Sequence, residues 1–182
     1  MGLSVHYHGE IKNMDLIPEL TEEVKNICEV FGWTFHLFDD KDFQGICFNP
    51  PEGEPVFLTF NNTPHIASPV LWQLKMETAP VSVKTQFAGI EAHIALIKLL
   101  KYLSNRYFKI FELSDEGNYW ETGDAEVLKK QFAAYNYALD TICNALKDLK
   151  PIPGETASSL ADRLEQFFRD LGKTDPDTEK FT

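Results

Sequence analysis

From residue 3 to residue 11 large apolar side chains alternate with polar ones. Leu3, Val5, Tyr7 and Ile11 fall on one side of an extended chain and Ser4, His6, His8 and Glu10 on the other, the period-two signature of a half-buried strand. The period then changes. Ile17, Leu20, Val24, Ile27, Cys28 and Phe31 recur at helical spacing, with Asp15 placed to cap the helix, Pro18 tolerable in its first turn and Gly32 placed to end it. Strands are predicted over 33–38, 45–48 and 55–60, separated by Asp39-Asp40-Lys41-Asp42 and by Pro50-Pro51-Glu52-Gly53, and they read as an antiparallel meander. Residues 61–80, with Pro64, Pro69 and Pro80, read as a loop holding a short strand at 70–74. A firmer strand follows at 81–87.

Gly89 opens a helix whose Ile90, Ile94, Ile97, Leu100 and Leu103, with Leu96 and Leu99 beside them, make a broad apolar face and predict deep burial. A strand at 109–113 and a loop at 114–123 lead to a long helix at 124–149. There Leu128, Phe132, Tyr135, Leu139, Ile142, Leu146 and Leu149 step by four and three, a seam fitted to packing on the same domain or to dimerisation. Pro151-Ile152-Pro153-Gly154 breaks the chain before a last helix bearing Leu160, Leu164, Phe167, Phe168 and Leu171. The reading is one α+β domain over 1–150, a C-terminal helix at 151–172 packed on it, and a flexible tail at 173–182. The predicted order is β-α-β-β-β-(β)-β-α-β-α-α, a mostly antiparallel sheet of five to seven strands packed on one side by helices. Its first seven elements, about half the chain, are similar in order to the TATA-binding-protein-like topology. No motif is shared, and the resemblance implies nothing about DNA.

Charge narrows the function classes. The chain carries 17 Lys and Arg against 28 Asp and Glu, a net charge of -11, and such a surface repels phosphate, so nucleic acid is not an expected partner. The acidity is uneven: residues 1–60 hold eleven acidic and three basic side chains, and residues 61–150 hold ten of each. That either keeps the surface solvated or steers a basic partner. At 182 residues, the chain buries roughly 70% of its unfolded surface on folding and needs no metal or disulfide for stability. Cys28, Cys47 and Cys143 are far apart in sequence and flanked by apolar residues, so each reads as a small buried hydrophobe in a reducing compartment. The first residues lack the basic segment and long apolar run of a signal peptide, no 18-residue apolar run occurs, and His6 stands where a myristoylation signal needs Ser or Thr. The expected location is the cytoplasm, with no membrane partner.

Two groups can carry chemistry. Strand alternation puts His6, His8 and Glu10 side by side, a weak metal-binding candidate. If the faces of neighbouring strands coincide, His36 and Lys84 join them on one polar sheet face. The loop 115–124 gathers Glu116, Tyr119, Trp120 and Glu121, where ring faces beside carboxylates grip a sugar or a cation. Its structural alternative is that Tyr119 and Trp120 plug the end of the core while Asp124 or Thr122 caps the long helix. His93 shares a stripe with Ile90, Ile94 and Ile97 and reads as a satisfied core histidine; His65 has no evident partner. Phosphate loops, dinucleotide fingerprints, nucleophile elbows, HExxH and CxxC are all absent from the sequence. The leading expectation is therefore a non-catalytic module binding a basic protein or a small ligand, without a cofactor. The alternatives are a metal-assisted hydrolase using His6 and His8, with Glu10 or His36 and an acid from the 115–121 loop, and a structural homodimer through the long helix.

Overall fold

A computed structural model of the chain describes residues 3–76, 80–147, 152 and 154–174. Its elements run β1 (Ser4–Ile11), α1 (Ile17–Phe31), β2 (Thr34–Asp39), β3 (Gln44–Asn49), β4 (Val56–Phe60), α2 (Pro69–Gln73), β5 (Val81–Lys84), α3 (Gly89–Tyr107), β6 (Phe108–Asp115), α4 (Tyr119–Thr122), α5 (Ala125–Lys147) and α6 (Ala157–Thr174). Two compact units divide it, Met1–Leu139 and Asp140–Thr182.

The α+β composition and the antiparallel meander are present, but the strands form two three-stranded sheets, β5-β1-β6 and β2-β3-β4, in place of the single sheet expected. The reason lies in residues 61–80. Around Pro64 the chain makes only isolated bridges: Ile11 donates its N–H to the Pro64 carbonyl (2.8 Å), Ile66 to Gly9 (2.9 Å) and Ala67 to Thr59 (2.8 Å). One short segment thus stitches β1 to β4 without a full strand. The expected strand at 70–74 is instead α2, because Ser68 caps it through Leu71 and Pro69 occupies its first turn, a helix-start signal that outweighs the β-prone Val-Leu-Trp run. The expected strand to residue 87 stops at Lys84, where Thr85 and Ala88 close a turn. In α1 the predicted Asp15 cap is displaced: Asn13 accepts from Asp15 N–H in a preceding 3-10 turn, while Gly32 ends the helix at φ 68°.

Both sheets share one core. Val5, Tyr7 and Ile11 from β1, Ile46, Phe48, Val56 and Leu58 from the meander, Leu20 and Val24 from α1, and Leu96, Ile97, Leu100 and Leu103 from α3 are buried in it together. Gly45 permits the meander's tight packing; at φ 125°, any Cβ would lie 2.2 Å from the Leu58 carbonyl oxygen. Tyr7 joins the sheets chemically. Its hydroxyl donates to the Phe57 carbonyl (2.9 Å) and accepts from the Phe57 N–H (3.0 Å), satisfying an outward-facing peptide of β4. Burial pushes the Tyr7 hydroxyl pKa far up, which keeps this donor protonated.

The α5 seam divides along its length. Leu128 and Phe132 are buried with Leu3, Tyr135, Leu139 and Ile142 are half-buried, and Leu146 is exposed; Leu149 lies outside the described residues. In the second unit, Thr156 and Ser159 cap α6 reciprocally and Arg163 pairs with Glu155 at 2.7 Å. Cys28 and Cys47 are buried, and burial pushes each thiol up to about 11, but Cys143 is exposed, against expectation.

Replacing Tyr7 by Phe strands the Phe57 peptide in the core. Urea unfolding should show a loss of about 1–3 kcal/mol; a change below about 0.5 kcal/mol, the range of unremarkable surface substitutions, contradicts this pairing.

Candidate functional site

The β-register settles which predicted residues meet. On one face of the first sheet His6 stands opposite Ser82 on one neighbour and Ser114 on the other, Ser4 opposite Lys84, and His8 opposite Glu112. His6, His8 and Lys84 therefore share a face, as expected. His36 does not join them: it lies in the second sheet opposite Cys47, its ring edge-on to Phe38 at 4.8 Å. Two sheets cannot supply the single histidine-bearing face that the alternation suggested. His8 Nε2 lies 3.4 Å from Glu112 and Glu10 pairs with Lys109 at 3.1 Å. Among the described residues no three His, Cys, Asp or Glu side chains are gathered to hold a metal ion. His65 contributes a backbone bridge to Glu10.

The acidic aromatic loop is organised by its first residue, Asp115, which the sequence reading counts among the loop's acids without a structural role. Asp115 ends β6 with its side chain buried. Its Oδ1 accepts from Gly117 N–H (2.7 Å), and its Oδ2 from Tyr119 N–H (2.8 Å) and Trp120 N–H (3.0 Å). His93 Nε2 stands 3.2 Å from both oxygens. Burial pushes the carboxyl pKa up, but the hydrogen bond and charge of His93 and the Trp120 and Gly117 amides outweigh it and hold it below the ordinary carboxylate value. The carboxylate only accepts, so His93 Nε2 carries the proton between them. On the other side of the ring, Thr85 Oγ1 lies 2.7 Å from Nδ1 and 3.3 Å from the Leu3 carbonyl oxygen.

Thr85, His93 and Asp115 thus have the order of a nucleophile, base and orienting acid. Burial decides against that use. Thr85 is 2% exposed and His93 0%, Phe132 packs edge-on against the imidazole at 5.9 Å, and a Cβ on Gly117 would meet Leu128, Asp115 and His93 within 3.0 Å. The trio is a closed pin joining β1, α3, the loop and α5, and His93 is the satisfied core histidine its stripe predicted. Around it, Glu116 accepts from Ser4 N–H at 2.7 Å, and half-buried Tyr119 packs against both hydrophobic clusters. Trp120 packs on Phe111 with Lys101 5.3 Å over its ring. Glu121 is exposed.

A second arrangement, also unforeseen, lies between α1 and α3. Arg106 reaches Glu19 (2.8 Å), Glu23 (3.5 Å) and the Tyr102 hydroxyl (2.9 Å); Tyr102 and Tyr107 both donate to Glu23. The Arg106 hydrogen bond holds the Glu19 carboxyl below its usual range. Beside this network opens a shallow groove of about 710 Å³, lined by Glu19, Glu22 and Glu23 together with Ile27, Val30 and Phe31. A second hollow of about 450 Å³ shares Ile27 and Phe31 and continues to Ile94, Leu99 and Tyr102. The run of acids on α1 was the available signal; the partner Arg106, some 80 residues on, has none in the sequence. Comparison of the chain with family models, with curated proteins and with solved structures gives no match.

Asp115→Ala leaves His93 and three amides without their acceptor and should cost about 3–5 kcal/mol in urea unfolding. Because the folded-state pKa is depressed, the stabilisation is complete above the unfolded carboxylate range and is lost as pH falls through the folded value. The native protein should therefore lose stability below about pH 4, and the variant should lack this component; equal acid sensitivity would contradict the pairing.

Proposed function

We propose that the chain is a non-catalytic binding module that seats a basic, apolar-faced segment of a protein partner in the groove between α1 and α3. The observation carrying this reading is the juxtaposition of exposed apolar side chains with carboxylates. Val30 is 84% and Phe31 58% exposed, and the groove beside them sets three glutamates against one arginine. Large apolar side chains offer affinity when desolvated by a partner. The glutamates raise the encounter rate of a cation and discourage an anionic competitor. Glu19, Glu22, Glu23 and Glu29 of α1 supply part of the acidic balance of residues 1–60 to this field.

The reading needs no cofactor and no nucleic acid. We place the protein in the cytoplasm, in keeping with the free thiols of Cys28, Cys47 and Cys143. Among the described residues no helix is long and apolar enough to cross a membrane. The hydrolase alternative draws no support from His36, which lies in the other sheet from His6, His8 and Glu10.

A fluorescein-labelled 18-residue amphipathic helix of Leu and Lys, with a Leu and Glu control, tests this by anisotropy. The cationic peptide should bind, and Val30→Ser with Phe31→Ser should weaken it at least about tenfold, or 1.4 kcal/mol. Its on-rate should fall as salt shortens the Debye length from about 10 Å at 0.1 M to about 3 Å at 1 M. Equal binding of the acidic control, or no effect of the double variant, would overturn the reading.

A further inference from the structure

The two sheets have unequal edges. Tyr7 and the 65–67 bridge satisfy Phe57 and Thr59 on β4; β6 carries Lys109 and Glu112 and has α4 against it. β2 pairs only with β3 among the described residues, and Thr34, His36, Leu37 and Asp39 are exposed. Lys, Pro and bulges guard the free edges of natural sheets. β2, Thr-Phe-His-Leu-Phe-Asp, has none of them, and its one acid stands at the end.

Register fixes which peptides of β2 are free. Phe57 and Thr59 face away from β3, so their opposites Cys47 and Gly45 turn their N–H and C=O towards β2, because antiparallel pairs alternate. Their partners on β2 are His36 and Phe38, which leaves Phe35, Leu37 and Asp39 with backbone groups pointing outward. Leu37, 43% exposed, also lines a notch of about 280 Å³ with Ile17, Pro18 and Thr21 of α1. The buried Thr21 hydroxyl has no hydrogen-bond partner.

We infer that the β2 edge pairs antiparallel with the same edge of a second copy, joining two three-stranded sheets into one six-stranded sheet across a two-fold axis at Leu37. Centred there, Leu37 meets Leu37 and Phe35 meets Asp39 of the other copy, so all three outward residues exchange N–H···O=C bonds. No two carboxylates face each other in this register, which makes the edge complementary to itself. Leu37 of the second copy enters the notch beside its counterpart, covering apolar surface that α1 leaves open. The interface is isologous and separate from the α1–α3 groove, so it stands or falls independently of the peptide-binding reading.

Sedimentation velocity from 1 to 100 μM tests it on the full chain. The native protein should sediment as twice 20.8 kDa at the upper end. Leu37→Lys, which sets two ammonium groups at the axis, and Asp39→Pro, which deletes an outward N–H, should each raise the dissociation constant at least about tenfold. Their far-UV circular dichroism should stay native. Should either variant misfold, hydrogen exchange on the native protein decides: the Leu37 amide should exchange more slowly as concentration rises. A native monomer throughout the range, a dimer surviving both folded variants, or concentration-independent exchange at Leu37 would each overturn the inference.

Discussion

A carboxylate shut away from water has to be surrounded by donors, and Asp115 meets that demand with four: three loop amides and the His93 imidazole. Unpaired, it would cost several kcal/mol to bury. Each donor comes from a place the fold must bring to it. The Gly117, Tyr119 and Trp120 amides require the loop to turn tightly, with Asn118 left-handed at φ 56°, and His93 requires α3 to sit in one rotational phase over β6. Thr85, at the other ring nitrogen, ties the end of β5 to Leu3. The geometry of the loop is therefore tied to electrostatic satisfaction, and it sets half-buried Tyr119 and Trp120 against the core.

The α1–α3 bolt shows the opposite balance. Arg106, Glu19, Glu23, Tyr102 and Tyr107 share hydrogen bonds at the surface, where solvent screening leaves each ion pair worth little. The network links α1 to α3 through Glu19, Glu23, Tyr102, Arg106 and Tyr107. Val30 and Phe31, at the C-terminal end of α1, lie beyond it and are exposed.

Much of the fold was legible because period and punctuation agreed. β1 alternates, α1 and α3 have apolar stripes, and Gly32 ends α1 as expected. α2 was misread where β-prone residues competed with a Ser-Pro helix start, and the sheet was misjudged because strand pattern carries no information on pairing across residues 61–80. The sites were harder for the same reason. His93 was recognised as a core histidine, but its acceptor lies 22 residues away, and nothing local distinguishes Asp115 from its acidic neighbours. Glu116, Tyr119 and Trp120 stood out by composition, whereas their roles follow from long-range packing. Phe31 belonged to the apolar stripe yet lies at its exposed end.

Native-state hydrogen exchange at the Gly117, Tyr119 and Trp120 amides reads the central claim directly, because those N–H groups have Asp115 oxygens as their acceptors. If the buried carboxylate holds this part of the fold, all three should exchange only through global unfolding, with opening free energies within about 1 kcal/mol of the value from denaturant. Exchange at the rates of an unprotected loop, while core amides of α3 remain protected, would contradict the account.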